Sequence, residues 1–338
     1  MAKTPSFDAR TEKLRAEART VQELCAQLAN ALCIPFDEAP KTAFQSEARE
    51  LAELRDLIRA LETDILEVVS GLGASTQAAY AAFDKVEEVS WREQFFGFFI
   101  KRNPTSFKAL RLKKLIVAET AKTILLQAAA VHDVFQRRKD AAASLVVSVE
   151  PELVASMEER RVIVSKMDDA RQRDKSLVAS LATLNRKIQD ASDVTRLSQL
   201  RLEEAELSAE REMVLGQRDT LRKMHDVLDR QAILLGDMID LQNEAIALHT
   251  LLLNKVNVEA ERCIQLYDAA FGSLDPLLAE AKPSVHTDVS TPMSLAVFQG
   301  LLTLHSQGAI TMQDIEQRKG RVDEALAQRA GSVSSAPV

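Results

Sequence analysis

The sequence predicts an all-α fold: an elongated helical bundle with a long antiparallel coiled-coil arm and a small C-terminal helical hairpin. Three observations predict it. Turn and sheet formers are scarce, with 10 Gly, 9 Pro and 4% aromatic residues in 338, whereas strands draw on β-branched and aromatic runs bounded by Gly and Pro. Ala, Leu, Glu, Arg, Gln and Asp dominate, which is the composition of long helices. The prolines leave uninterrupted stretches at 41–103, 105–150 and 152–275, and proline is the residue that a helix interior tolerates least.

The first predicted helix covers 8–32 and stops before Pro35 and Pro40, so 1–40 reads as an N-terminal helix and a break. The next stretch carries Leu51, Leu54, Ile58, Leu61, Ile65, Val68 and Leu72 at alternating spacings of three and four. That is one narrow apolar seam, the pattern of helix-on-helix packing. Gly71 and Gly73 are expected to end or bend this helix, because glycine is the commonest C-terminal cap. A second helix then runs from Ala78 to about Phe99. Asn103 and Pro104 read as a helix start, Asn capping free N–H groups and Pro suiting the first helical position. That helix is expected to reach 149, with Phe107, Leu110, Val117, Ala121, Ile124, Ala128 and Phe135 on its packed side.

Glu150-Pro151 is expected to make a kink or tight turn. The stretch that follows divides by chemistry. Residues 152–232 are rich in charge, as in EERR at 158–161, whereas 233–256 carry only Asp237, Asp240, Glu244 and Lys255 as charges. A thin seam in a charged sequence suits a solvated two-helix coil, and a wide apolar stripe suits a bundle core. QDASDVT at 189–195 suits the tip of a hairpin, folding 152–189 back on 194–232 in arms of about 57 Å. The alternative is one helix through 152–272. The predicted division is a body of 41–150 plus 233–275, an arm of 151–232, a linker at 276–292, a hairpin at 293–330 and a disordered tail at 331–338.

The C-terminal segment FQGLLTLHSQGAITMQDIEQRKGRVDEA, 298–325, is a helical hairpin on physical grounds. Gly308 suits the left-handed position that ends a helix. Thr311 caps the next helix, with Asp314 three residues on near its positive end and Ile310 beside the cap as a staple. The segment resembles the bacterial short C-terminal domain family called SHOCT. Leu301, Leu302 and Leu304 fit the first helix of that family's pattern, and Gly308, Ile310, Thr311, Asp314 and Lys319 fit its turn and second helix. Met312-Gln313 replaces the usual acidic pair, and Ile315 stands where Phe is common. The resemblance covers less than a tenth of the chain. It implies an oligomerisation or partner-binding hairpin, since about 30 residues bury little core alone.

A second feature is WREQFFGFFIKRNPTSFKALRLKK at 91–114. It holds Trp91, Phe95, Phe96, Phe98, Phe99 and Phe107, with Lys101, Arg102, Lys108, Arg111, Lys113 and Lys114 among them. Seven basic residues stand against one acid, Glu93, between 91 and 118 in a chain of net charge -7. Aromatic rings beside cations suit a lipid headgroup boundary with anionic lipid. The competing reading is a Phe plug in the bundle with cations on its rim. Nucleic acid ranks last among partners, because the chain as a whole is acidic.

Several function classes are excluded by what the sequence lacks. Cys25, Cys33 and Cys263 are too few and scattered for a disulfide framework or zinc site, and read as buried thiols. Asp237, Asp240 and Glu244 fall at helical spacing, but no E-x-x-H pair accompanies them; Glu244 and His249 are five apart. They read as a solvated or ion-paired face, as do His225 and Asp229. No phosphate-binding, dinucleotide, zinc-protease or hydrolase motif is present, so neither an enzyme nor a cofactor is expected. The N-terminus shows no apolar signal core, and no apolar run approaches the roughly 18 residues of a membrane span. The expected protein is cytoplasmic, a scaffold that self-assembles or binds protein partners. The alternative is a membrane-associated helical protein, of lipid-docking, remodelling or α-helical pore-forming type, that uses 91–114.

Overall fold

The structure, a computed structural model, describes residues 6–34, 44–97, 105–277, 293–308 and 310–334, and among these the side chains of all but 88–97, 105–110, 293–299 and 330–334. The described residues are helical with no strand. Helices α1 (Phe7–Leu32), α2 (Gln45–Gly97), α3 (Thr105–Asp190) and α4 (Val194–Phe271) are followed by the shorter α5 (Met293–Ser306) and α6 (Met312–Ser334). The fold is all-α, as composition predicts. The chain groups into two compact units, one of Met1–Leu24, Arg55–Ala143 and Asn243–Val338, the other of Cys25–Leu54 and Ser144–Gln242.

In the first unit, α1 runs antiparallel to α2: Lys13 Nζ lies 2.5 Å from Asp64 and Arg10 Nη1 lies 3.4 Å from Glu67. The predicted seam of α2 is buried here at Ile58, Leu61, Ile65, Val68 and Leu72. α3 adds Val117, Ala121, Ile124, Ala128 and Phe135, and α4 adds Leu248, Leu252, Val256 and Ile264. The Phe135 ring meets His249 edge-on, with centroids 6.0 Å apart. α2 does not end or bend at its glycines; it continues through Gly71 and Gly73 to Gly97. Gly73 sits inside the helix beside α4, where a Cβ would stand 3.5 Å from Glu259 Oε1, an ordinary van der Waals contact.

The C-terminal hairpin belongs to this unit and docks on α4 through charge. Lys255 Nζ lies 2.6 Å from Asp323 and 2.9 Å from Glu259, and Arg262 Nε lies 3.1 Å from Glu316. Arg318 grips Glu261 with both terminal nitrogens. Leu302 and Ile315 are its buried apolar anchors. Gly308 takes φ +69, and Thr311 and Asp314 exchange the two capping hydrogen bonds, each 3.2 Å long. α6 runs on to Ser334, so 331–334, expected as the start of a disordered tail, are helical. The linker expected at 276–292 lies outside the described residues from 278 onward.

The second unit is built on the hairpin of α3 and α4. The two helices are separated at 191–193, inside the predicted tip. Asp193 caps α4, its Oδ1 accepting from Thr195 N at 3.1 Å. The antiparallel register is marked by Arg160 with Asp229 at 2.9 Å, Arg173 with Glu210, and Asp174 with Arg211 at 3.1 Å. Ser156, Ile163, Leu177 and Leu184 are buried at multiples of seven, the heptad seam of a two-stranded coil. Gln231 Nε2 donates to Leu32 O at 2.7 Å, and Gln242 Nε2 to Cys25 Sγ at 3.4 Å. Those contacts place 233–242 in this unit, whereas composition alone assigned it to the body.

The turn expected at Pro151 does not form; α3 passes through it. Pro151, Glu150 and Glu152 are exposed, and Val147 is 69% exposed. The Val147 carbonyl that loses its amide partner therefore faces water, which softens a cost of about 3 kcal/mol for an interior proline.

Candidate membrane-facing site

The aromatic-basic segment falls at the end of α2 and the start of α3. Phe98, Phe99, Lys101 and Arg102 lie outside the described residues, as do the side chains of Trp91, Phe95, Phe96, Phe107 and Lys108. The structure does describe the segment's last turns. Arg111 and Lys113 are exposed, and Lys114 is half-buried with its Nζ 5.8 Å from the Phe83 ring centroid. A cation over a ring face is attracted by the ring quadrupole. That contact links Lys114 to α2 and leaves the other two cations to solvent.

Between and after these cations the apolar side chains point outward. Leu112 is 60% exposed, Leu115 44% and Ile116 58%. Helical geometry explains the arrangement: Val117, Ala121 and Ile124 take the core face, so 112, 115 and 116, three and four apart, share the opposite one. Here an amphipathic helix presents a second apolar face outward, which the core does not require. Ile116 also borders a shallow groove floored by small residues, Ala78, Ala79 and Ala82 on α2, with Thr120 and Ile124 on α3.

Within Arg111–Asp190 one 18-residue window is long and apolar enough to cross a membrane by length and composition, and 44% of it is buried. The sequence holds no uninterrupted apolar run of that length; in this window at most two charges interrupt the apolar residues.

Leu301 and Ile310 are half-buried and Leu304 is 44% exposed. Cys25 and Cys263 are buried and Cys33 half-buried, none in a disulfide. Burial pushes the Cys263 thiol up to about 12, which keeps it protonated and unreactive. Asp240 and Glu244 are exposed. Arg160 joins His225 and Asp229, at 3.4 and 2.9 Å. Among the described residues no three His, Cys, Asp or Glu side chains are grouped to hold a metal.

One charge cluster and one buried cation were not legible in the sequence. One is the charge network of Lys255, Glu259, Glu261 and Arg262, 8%, 1%, 1% and 5% exposed beneath the C-terminal hairpin. Arg262 is further held by Gln77 at 3.1 Å, and Tyr80 donates to its carbonyl at 2.7 Å. The other is buried Arg138 on α3. The spacing of 255, 259 and 262 was a visible signal, but an α4 stripe of that kind reads as solvated unless a covering helix is known.

No protein-family model matches this sequence, and no curated protein matches it. Solved structures similar to it are described as parts of tripartite alpha-pore forming toxins. The pre-pore AhlB of the AHL toxin from Aeromonas hydrophila is 11% identical, over 96% of this chain and 98% of that one, with a TM-score of 0.45. A soluble AhlC triple head mutant of the same toxin is 13% identical over 90% and 98%, at 0.43. The SmhB pore of the Smh toxin from Serratia marcescens is 11% identical over 96% and 100%, at 0.41.

Proposed function

We propose that this chain is a non-enzymatic helical protein that docks on anionic membrane surfaces through the outward strip of α3 and the aromatic segment before it. One observation carries the reading: Leu112, Leu115 and Ile116 are about half exposed or more, and they interleave with the exposed cations Arg111 and Lys113. Apolar side chains entering the headgroup boundary are stabilised by the area they remove from water. Each Lys or Arg near an anionic surface adds about 1 kcal/mol. A few such contributions give reversible docking. Two of the toxin components to which the chain is similar are described as a pre-pore and a pore, and insertion after docking is the step that this reading adds.

Flotation of the full chain with phosphatidylserine-containing vesicles tests it. At low salt the protein is expected to float with them and to stay behind with pure phosphatidylcholine. The double variant Leu112→Glu/Ile116→Glu is expected to bind at least about tenfold more weakly. Wild-type protein that ignores anionic vesicles at low salt, or a double variant that floats equally well, overturns the proposal. Leakage of a trapped dye separates insertion from docking.

A second reading, a protein-binding scaffold, is favoured by the α3–α4 hairpin. Val154, Met157, Leu202 and Met213 are 66%, 54%, 64% and 64% exposed there, apolar surface outside the two-helix seam. In that reading the C-terminal segment is a SHOCT-like module whose anchors Leu302 and Ile315 are covered within the chain. Light scattering before and after deletion of 293–338 tests self-assembly, and an unchanged monomer removes it.

A further inference from the structure

Two helix faces in the first unit meet across a groove. From α1 come Arg15, Arg19 and Gln22, spaced four and three apart, and from α3 come Arg137, Arg138 and the acidic Asp140. Ala18, Val134 and Ala141 line it between the polar residues. Four guanidinium groups on two facing helices are an unusual expense of repulsion, and their partners account for only part of them. Arg15 pairs with Glu12, one turn back on its own helix. Arg137 pairs with Asp133 at 3.1 Å. Asp140 accepts from Gln136 at 2.8 Å.

Arg138 is different. It is 3% exposed, and its Nη2 is buried with no hydrogen-bond partner. Glu62 on α2 feels its charge, but no ion pair within 4.0 Å joins the two. A guanidinium does not shed its proton in a protein, and a buried one with no ion pair in contact has given up water without a hydrogen bond in return. Asp140 lines the same groove, but no acceptor lies within hydrogen-bond distance of Arg138 Nη2.

We infer that the groove between α1 and α3 binds a phosphate-type oxyanion, with Arg138 as its buried anchor and Arg19 and Arg15 closing over it from α1. Planar guanidinium forks match phosphate oxygens two at a time, which a lysine does not reproduce. The occupant is a free phosphate group or the phosphate of a lipid headgroup; the shared chemistry is the oxyanion. Bound there, it would fasten α1 to α3. The site is independent of the docking strip, because it is tested without vesicles and a failure of flotation leaves it untouched.

The test is a titration of the full chain with inorganic phosphate against chloride at matched ionic strength, read by calorimetry and by the thermal midpoint. Wild-type protein is expected to show saturable heat and a saturable rise in midpoint, since a ligand that binds only the folded state stabilises it. Arg138→Met, which replaces the buried ion by an apolar chain of similar length, is expected to weaken binding at least about tenfold. Arg19→Gln, at an exposed position that leaves packing alone, is expected to weaken it less but measurably. No saturable response in the wild type, or an affinity unchanged in both variants, overturns the site. A water-soluble short-chain phosphatidic acid supplies the second arm. Tighter binding than inorganic phosphate, lost in the same variants, identifies a headgroup as the occupant; equal binding identifies free phosphate.

Discussion

The α3–α4 hairpin and the core around Leu252 are both made of helices packed side by side, yet they exclude water to different depths. Along the hairpin's outgoing arm only Ser156, Ile163, Leu177 and Leu184 are buried, one residue per one or two heptads. The positions between them carry charge: Arg160 with His225 and Asp229, and Asp174 with Arg211 and Arg218. In the first unit α4 buries Leu248, Leu252, Leu253, Val256, Ala260 and Ile264 within five turns. A two-helix coil covers one stripe of each partner, whereas a bundle surrounds a helix on several sides. The difference teaches where stability and where specificity reside: area buried in the bundle, charge placement in the hairpin.

The largest expected effect tests that division directly. Leu252 is fully buried and Leu184 is 5% exposed in a thin seam. Leu252→Ala is expected to cost about 4 kcal/mol of unfolding free energy, near the upper part of the range for buried leucines. Leu184→Ala should cost about 2 kcal/mol, because neighbouring chains and water collapse into an open seam more easily. Urea unfolding followed by circular dichroism measures both. Equal losses would break the comparison.

His249 gives the next effect, through pH. It is 2% exposed, its Nδ1 lies 2.7 Å from Ala245 O, and burial pulls its pKa down to about 4. The unfolded chain therefore takes up a proton near pH 6.5 that the folded chain refuses until about pH 4. Unfolding gains protons across that window, so stability falls as pH drops through it. The contribution is roughly 3 kcal/mol when fully developed. His249→Gln stays neutral throughout, so the wild-type-minus-variant stability difference is expected to fall by roughly 3 kcal/mol between pH 7 and 4. A difference that does not change with pH would show that the ring is already solvated, and the core shallower than its packing indicates.

Much of the fold was legible in particular residues. The α2 seam from Leu51 to Leu72 is buried as its spacing requires. The Thr311–Asp314 cap and the left-handed Gly308 form as their residue types suggest. What misled was punctuation read without its surroundings. Gly73 looked like a stop and is an interior helix position beside Glu259; Pro151 looked like a turn and is an exposed helix position. Local propensity proposes a break, and tertiary packing or solvent access decides whether it happens. The candidate site was legible as a concentration of aromatic and basic residues. Its described portion, the outward Leu112, Leu115 and Ile116, was not, because facing direction depends on which stripe of α3 the core takes. Arg138 was invisible for the same reason: an arginine in a charged run, here Arg137 to Asp140, reads as solvated until a second helix closes over it.

The smallest effect concerns the hairpin's polar layer. Asp174 is 16% exposed at its side chain and lies 3.1 Å from Arg211 and 3.3 Å from Arg218, which are 43% and 39% exposed. With both cations partly in water, the pairs contribute only about 1 kcal/mol. Their greater consequence is positional, since a polar group at a seam position fits one register and penalises the others. Asp174→Ala is therefore expected to shift the global unfolding midpoint little while raising amide hydrogen exchange around 165–185 and 204–222. High salt should produce a milder version of the same pattern in the wild type. If exchange in the hairpin is unchanged by either treatment, the buried leucines and isoleucine alone hold its register, and the contrast between an area-stabilised bundle and a charge-specified hairpin does not hold.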